Sequence, residues 1–500
     1  MLPKKVLSIF LVVVLVLLSH SIFAAGKKKV WPGIGMNNPG LFNMYLGNAF
    51  VAGPELQETI ARKTIIDARN NSIGYFRFSA SGFGSYELEL WQRYPDFFWN
   101  RFDKMMGDLY ENHVQAVFVL SWWNIQFPRF AGDSMHIFFT DPNSASRKLW
   151  SKYVREVVNR YKNHPAVRFW EMGNEWNLDA DMDIDKRMGT KGDNYSTGEL
   201  LDLVREFANL VRATDPNHLI SNGFSMPRPA AEHIRRQPEW SPDGPDWTSD
   251  SREEFRKNLI DASRDVEIIS VHFYNLCPDI SDNCSTSRDN ERFDIVGKNN
   301  VDLLDEVVKV ANETSKFVFV GETGDGLNDN YSVGSFTQAT LERVGRLKIM
   351  FSALWAWEEY SPIIKPGPSN IEPGFSDALI NKIREVNSIY FNRVSPEPRV
   401  PDLEPPIVII TAPLEGTSIL KFYYGLEIYA LASDNDRIER VEFWLENAFL
   451  GEVRKAPYTI KLLGGTYPVV GRNLKLKAKA FDSSGNFSES VVNVSGFYFW

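Results

Sequence analysis

Cysteine is scarce, with two in 500 residues, Cys277 and Cys284. A structural zinc site takes four Cys or His ligands, so this pair excludes a cysteine-built metal centre. The two stand seven positions apart in a loop rich in Pro, Asp, Asn and Ser. In an exported chain that spacing suits a loop-closing disulfide between Cys277 and Cys284. Positive charge is also short. Fifty-five Lys and Arg face 64 Asp and Glu, for a formal net charge of -9. This argues against nucleic acid as a partner and leaves neutral substrates open. Long apolar runs are missing except near the amino terminus. No glycine-rich phosphate turn follows any early strand-like stretch, which removes support for a doubly wound dinucleotide fold.

The one long apolar run, Val6 to Leu18, follows Lys4 and Lys5 and precedes Ala24 and Ala25. It is short for a membrane span, which needs about 20 residues. Basic start, apolar middle and small-residue end are the parts of a secretory signal peptide. We read residues 1–24 as that signal, with cleavage after Ala24 and a secreted or cell-surface chain. An uncleaved anchor is the alternative.

From Lys28 to Arg393 strand-like and helix-like stretches alternate. Pro95 to Asn112 is one helix, with Phe98, Phe102, Met105, Met106 and Leu109 on a single apolar face. Eight strands, each followed by a helix, predict an α/β fold, a (β/α)8 TIM barrel over residues 28–393. Five prolines between Val394 and Pro406 then mark a stiff linker. Short β-rich runs with turn signals fill residues 407–500, a small all-β sandwich.

Two apolar runs end in glutamate. Val167 to Gly173 leads into Asn174 and Glu175, and Phe317 to Gly321 leads into Glu322. In an eight-fold barrel the fourth and seventh strands face each other across the mouth, and chemistry sits at the carboxyl ends of the strands. Two carboxyl groups there can flank a sugar ring, one as proton donor and the other as attacking carboxylate. Glu171, four residues before Glu175, is read as a polar strand neighbour.

Met172-Gly173-Asn174-Glu175 with Gly321-Glu322 resembles the retaining glycoside hydrolases of clan A, nearest glycoside hydrolase family 5, the cellulase and β-mannanase type. The resemblance implies that Glu175 is the general acid/base and Glu322 the nucleophile. It implies a substrate-binding set of Arg77, Asn174, His272 and Tyr274, with Arg77 holding a carboxylate ionised and Asn174 meeting the sugar 2-hydroxyl. Trp355 and Trp357 are expected to share one face of strand eight, with Trp357 as the floor of the sugar site. Trp122 belongs to Ser121-Trp122-Trp123-Asn124, where many cellulases of the family carry a histidine; this ending is closer to some β-mannanases. For Trp122, Trp123, Trp240 and Trp247, packing and sugar stacking remain equal alternatives.

The carboxy-terminal region resembles a bacterial immunoglobulin-like domain through Ala432-Ser433-Asp434, Ile438 to Trp444 and Ala480 to Asn486. Asp434, Asp436 and Asp482 there are read as turn chemistry rather than calcium ligands. The expected activity is a retaining β-glycoside hydrolase on a β-mannan or β-glucan, needing no cofactor and no metal, acting as a monomer. A transglycosylase of the same fold and a non-catalytic carbohydrate-binding surface protein are the alternatives.

Overall fold

The computed structural model describes residues 33–48, 54–274, 303–324, 335–357, 376–391, 405–420, 426–434, 438–462, 471–482 and 486–497. The signal segment, Cys277, Cys284 and the linker up to residue 404 lie outside the described residues.

Eight parallel strands close into a barrel in sequence order: β1 (Gly33–Asn37), β2 (Tyr75–Ser79), β3 (Gln115–Ser121), β4 (Val167–Gly173), β5 (Ile220–Ser221), β6 (Ile268–Tyr274), β7 (Phe317–Gly324) and β8 (Phe351–Leu354). Each is followed by one main helix: α1 (Pro54–Asn70), α2 (Pro95–Glu111), α3 (Ala145–Tyr161), α4 (Thr197–Thr214), α5 (Arg252–Ser263), α6 (Leu303–Thr314), α7 (Ser335–Arg346) and α8 (Asp377–Phe391). The expected barrel is present. In α2, Pro95 opens the helix, and Phe98, Phe102, Met105, Met106 and Leu109 are all buried. This is the face that the spacing predicts, laid against the barrel wall. Ser196 and Glu199 form a capping box that starts α4, satisfying backbone donors that the helix itself leaves unpaired.

Strand eight ends before the Trp355 and Trp357 expected on it, and strands five and eight are short, at Ile220–Ser221 and Phe351–Leu354. Beyond them the chain turns away from the sheet, so period-2 alternation ends there. The seam between β1 and β8 is tied by Asn387 of α8. Its side-chain oxygen accepts the Ile34 N–H at 2.8 Å, and its NH2 donates to the carbonyls of Ile34 and Ser72 at 3.2 and 3.1 Å.

Residues 407–497 form two antiparallel-dominated sheets. With β9 (Ile407–Ala412), β10 (Ser418–Leu420), β11 (Leu426–Ser433), β12 (Ile438–Leu445), β13 (Ala448–Val453), β14 (Tyr458–Leu462), β15 (Gly471–Asp482) and β16 (Phe487–Phe497), the orders are β10-β16-β15-β12-β13 and β14-β11-β9. Alternate residues such as Val441, Phe443 and Leu445 point into a separate apolar core. This is the expected immunoglobulin-like sandwich. It rests against the outer helices: Asn70 at the end of α1 donates to the Asp434 carbonyl at 2.6 Å, and Lys455 pairs with Asp377 of α8 at 3.1 Å. Asp482 accepts the Asn486 backbone and side-chain N–H groups at 2.8 and 2.7 Å, which is the turn chemistry expected of it.

Candidate active site

Arg77 of β2 is fully buried beneath the barrel mouth and organises the site. Its guanidinium spends its donors on four side chains. Nε donates to Glu171 at 2.6 Å, Nη1 to Glu322 at 2.8 Å and to Asn37 at 3.0 Å, and Nη2 to Asn174 at 2.8 Å. A planar fork of fixed donors suits this work, because one side chain orients groups from several strands at once. Burial alone acts to lower the Arg77 pKa. The charges of Glu171 and Glu322 prevail and raise it, so Arg77 stays a cation.

Glu322 reaches the mouth through a bulge. Val271 of β6 pairs with Val320 of β7, and His272 pairs with Glu322, so Gly321 is the extra residue. Phe319 faces the barrel interior, and simple alternation would turn Glu322 outward. The extra residue reverses that parity and aims Glu322 inward. Only glycine fits here. A Cβ on Gly321 would lie 2.4 Å from Nε2 of the His272 ring.

Glu175 sits just past β4 in the left-handed region, at φ 57°. A non-glycine residue there is strained by about 1–2 kcal/mol. The conformation is held because the Glu175 N–H donates to the Gly223 carbonyl at 2.9 Å, while the preceding Asn174 N–H donates to the Trp122 carbonyl at 3.2 Å. Gly223, at φ 73°, lies so close to β4 that a Cβ would fall 1.9 Å from the Gly173 oxygen. The Glu175 side chain keeps 29% of its surface open, against 5% for Glu322. One carboxyl therefore faces the mouth, and the other lies at its base.

His272 lies between them. Its Nδ1 is 3.1 Å from Glu175 Oε1 and 3.5 Å from Glu322 Oε1. One donor atom from each of the three residues lies within 4.8 Å of the other two. Burial pushes the His272 pKa down to about 4, with Arg77 adding to the effect and Glu322 opposing it. The ring is thus neutral near pH 7. Burial raises the Glu175 pKa, opposed by a hydrogen bond from Ser225 and by the Arg77 charge. A carboxyl that holds its proton longer than usual stands next to one bonded to a guanidinium.

Among the described residues, carboxylates and histidine also gather at His233, Asp250 and Glu254. There the acceptors are already used. Asp250 takes the Glu232 N–H and the Asn258 side chain, and Glu254 takes Arg236 and the Ser251 N–H. At the mouth, the cation balancing the carboxylates is Arg77.

The structure brings Arg77, Asn174, Glu175, His272 and Glu322 together. Tyr274 ends β6 on the same strand as His272; its side chain lies outside what is described. Trp122 is close by, with the Arg77 guanidinium 4.9 Å above its ring and Trp355 6.2 Å away, but it is only 2% exposed. The expectation for Trp357 is corrected. Its side chain is fully buried and packs edge-on against Phe76 at 5.8 Å. Trp355 is the partly open one. Because β8 stops at Leu354, the two tryptophans do not share a strand face.

Sequence reasoning passed over Asn37, Glu171 and Ser221. Asn37 ends β1 and donates to the carbonyls of Gly321 and Leu354 at 2.9 and 3.1 Å, bracing the Gly321 bulge. Glu171 is fully buried against Arg77, and Ser221 donates to it at 2.7 Å. Period-2 spacing from Phe169, which faces the interior, was the signal that could have found Glu171.

Residues 406–469 match a bacterial Ig domain model. The chain is 30% identical over 79 residues to the probable mannan endo-1,4-beta-mannosidase C of Aspergillus terreus, covering 16% of this chain and 19% of that protein. It is 24% identical over 190 residues to the probable mannan endo-1,4-beta-mannosidase F of Aspergillus flavus, covering 37% of this chain and 35% of the relative. These matches thus span only about a fifth to a third of the relatives' length. The solved endo-beta-1,4-mannanase from Thermotoga petrophila is 15% identical, with a TM-score of 0.49 over 94% of this chain and 99% of that one. Residues 90–361 match the model of the cellulase family, glycosyl hydrolase family 5. That match covers more than half of the 500 residues, and the chain belongs to glycosyl hydrolase family 5 as a glycoside hydrolase.

Proposed function

We propose that this hydrolase cleaves β-1,4-mannan internally, with retention of anomeric configuration, using Glu175 as acid/base and Glu322 as nucleophile. The observation that carries the mechanism is the close approach of the two carboxyl groups, with one oxygen of each within 4.8 Å of the other. Retaining pairs stand about 5–5.5 Å apart, and inverting pairs about 6.5–9.5 Å, to admit a water. The substrate reading rests on the mannan endo-1,4-beta-mannosidases among the relatives.

In this reading protonated Glu175 gives its proton to the glycosidic oxygen as the bond to the anomeric carbon breaks. The Glu322 carboxylate forms the new bond to that carbon. The departing sugar leaves as an alcohol. With Glu322 esterified its charge is gone, and ionised Glu175 now takes a proton from water as the water oxygen attacks the same carbon. Glu322 departs as a carboxylate, and Glu175 is protonated again. Neutral His272 bonds to Glu175 without adding a charge. Asn174, whose oxygen is held by Arg77, offers its NH2 to the sugar 2-hydroxyl.

The amino-terminal segment supports export of the chain, which the mature amino terminus of the natively produced protein tests by mass spectrometry. The catalytic reading is tested by NMR of products formed from mannan in the first minutes, beside cellulose, mixed-linkage glucan and xylan. A β-anomer formed first from mannan is expected. An α-anomer formed first overturns the mechanism, and preferential cleavage of another glycan overturns the substrate.

A further inference from the structure

Glu171 has no role in the chemistry above, yet it is among the most enclosed charges in the molecule, with no exposed surface. Its two oxygens are divided. Oε1 accepts Arg77 Nε at 2.6 Å, and Oε2 accepts the Ser221 hydroxyl at 2.7 Å. The Ser221 oxygen in turn accepts the Gly223 N–H at 3.2 Å, and the Gly223 carbonyl accepts the Glu175 N–H at 2.9 Å. One unbroken path of hydrogen bonds therefore runs from Glu322 through Arg77, Glu171, Ser221 and Gly223 to the backbone of Glu175. The path has little slack at Gly223, where an added Cβ would meet Glu171 carbons at 2.9 Å.

The charge count gives the path a purpose. One guanidinium faces two carboxylates, Glu171 and Glu322, with neutral His272 and the Asn37 and Asn174 amides completing the shell. An arginine belonging to Glu322 alone would stabilise the ionised nucleophile in the ground state and slow its attack, since only interactions stronger in the transition state accelerate the reaction. A second carboxylate on Nε divides that attraction. We propose that Glu171 is a positioning residue that keeps Arg77 from fully neutralising Glu322 and, through Ser221 and Gly223, fixes the backbone that presents Glu175. Glu171 is fully enclosed and acts on the sugar only through these groups. The proposal rests on the assignment of Glu175 and Glu322 above.

The test uses the full chain carrying Glu171→Gln, which keeps the shape and the acceptor for Arg77 and removes the charge. The substrates are mannan and a dinitrophenyl β-mannobioside, whose leaving group needs no proton. With Glu171 neutral, the Arg77 field on Glu322 grows, its pKa falls, and the acid limb of kcat/KM moves to lower pH. The expected loss in kcat/KM is roughly 10- to 100-fold on both substrates. Ser221→Ala, which removes no charge, is expected to lose roughly 3- to 10-fold with the limb unmoved, and it carries the test if Glu171→Gln does not fold. Wild-type kcat/KM in both variants overturns the proposal. So does an unmoved acid limb in Glu171→Gln, or a Glu171→Gln loss that the activated leaving group fully restores; the Ser221→Ala loss acts through Glu175 and is expected on mannan alone. Glu322→Ala run alongside separates the two readings. Retained turnover there removes the catalytic assignment itself, whereas an inactive Glu322→Ala beside an unaffected Glu171→Gln removes only the role of Glu171.

Discussion

The barrel interior holds two layers built on the same strands. Low in the barrel, Tyr75, Phe169, Ile268, Phe319 and Phe351 pack together, with the Phe169 ring 5.1 Å from that of Phe319 and 5.2 Å from that of Phe351. A step higher, β2 supplies Arg77, β4 Glu171, β6 His272 and β7 Glu322. Apolar burial dominates the lower layer and is non-directional, each large side chain stabilising the fold by about 1.5–3 kcal/mol, although the Arg168 guanidinium also lies 3.9 Å from the centre of the Tyr75 ring. The upper layer takes charges out of water, where desolvation cancels much of what their pairing returns. The fold can afford the second only because the first lies beneath it. Stability and chemistry are thus separated along the barrel axis by two to four residues of each strand.

The sharpest way to break this separation is to exchange the effects. Glu322→Ala is expected to lower kcat on the order of 10⁴-fold or more, with circular dichroism showing the barrel intact; a smaller loss would move the nucleophile elsewhere. Phe169→Ala in the lower layer should cost about 3–5 kcal/mol in denaturant titrations. Its kcat at 25 °C should stay within about twofold of wild type, since the cavity lies below the reacting groups. A hundredfold loss there would show that the layers are not independent.

The third prediction concerns pH. Unfolded, His272 takes a proton near its ordinary value of 6.5, whereas folded it does so only near 4. As pH falls between these values the unfolded chain binds the proton first. The stability His272 allows above pH 6.5 is therefore lost on the way down to about 4, by at most about 3 kcal/mol. Urea titrations at pH 7, 5 and 4 should show this component in the wild type, and His272→Gln should lack it. The smallest effect has the opposite sign. Glu175 holds its proton more tightly when folded, so its ionisation works against the fold once pH exceeds its unfolded pKa. Glu175→Gln should raise stability at pH 7 by about 1 kcal/mol or less while removing roughly 10²–10⁴-fold of activity. A lower melting temperature for that variant would contradict the account of the upper layer.

The sequence made the lower layer and the frame easy to read, for a physical reason. Apolar faces repeat at 3.6 or 2.0 residues, so α2 and the interior of β4 stand within a residue of where periodicity puts them. Glu175 and Glu322 were legible as strand ends. What periodicity could not carry was parity across irregularities. The Gly321 bulge turns Glu322 inward, and the short β8 removes Trp357 from the face it was expected to share with Trp355. Glu171 was set aside because a turn separates it from Glu175, although its alternation with Phe169 was unbroken. Asn37 gave no signal, because a single amide at a strand end is common, and its meaning lies in partners almost 300 residues away.

The Asn387 tie has a consequence for how the chain is made. Its amide reads the backbone of Ile34 across 353 positions, so β1 leaves the ribosome long before its latch exists. Until β8 arrives, the edge of β1 that will meet it has no strand to pair with, and exposed edges recruit other chains. Closure at the greatest possible sequence separation is also entropically late. Nascent β1 is therefore the segment of this barrel with the longest wait and the strongest claim on a chaperone.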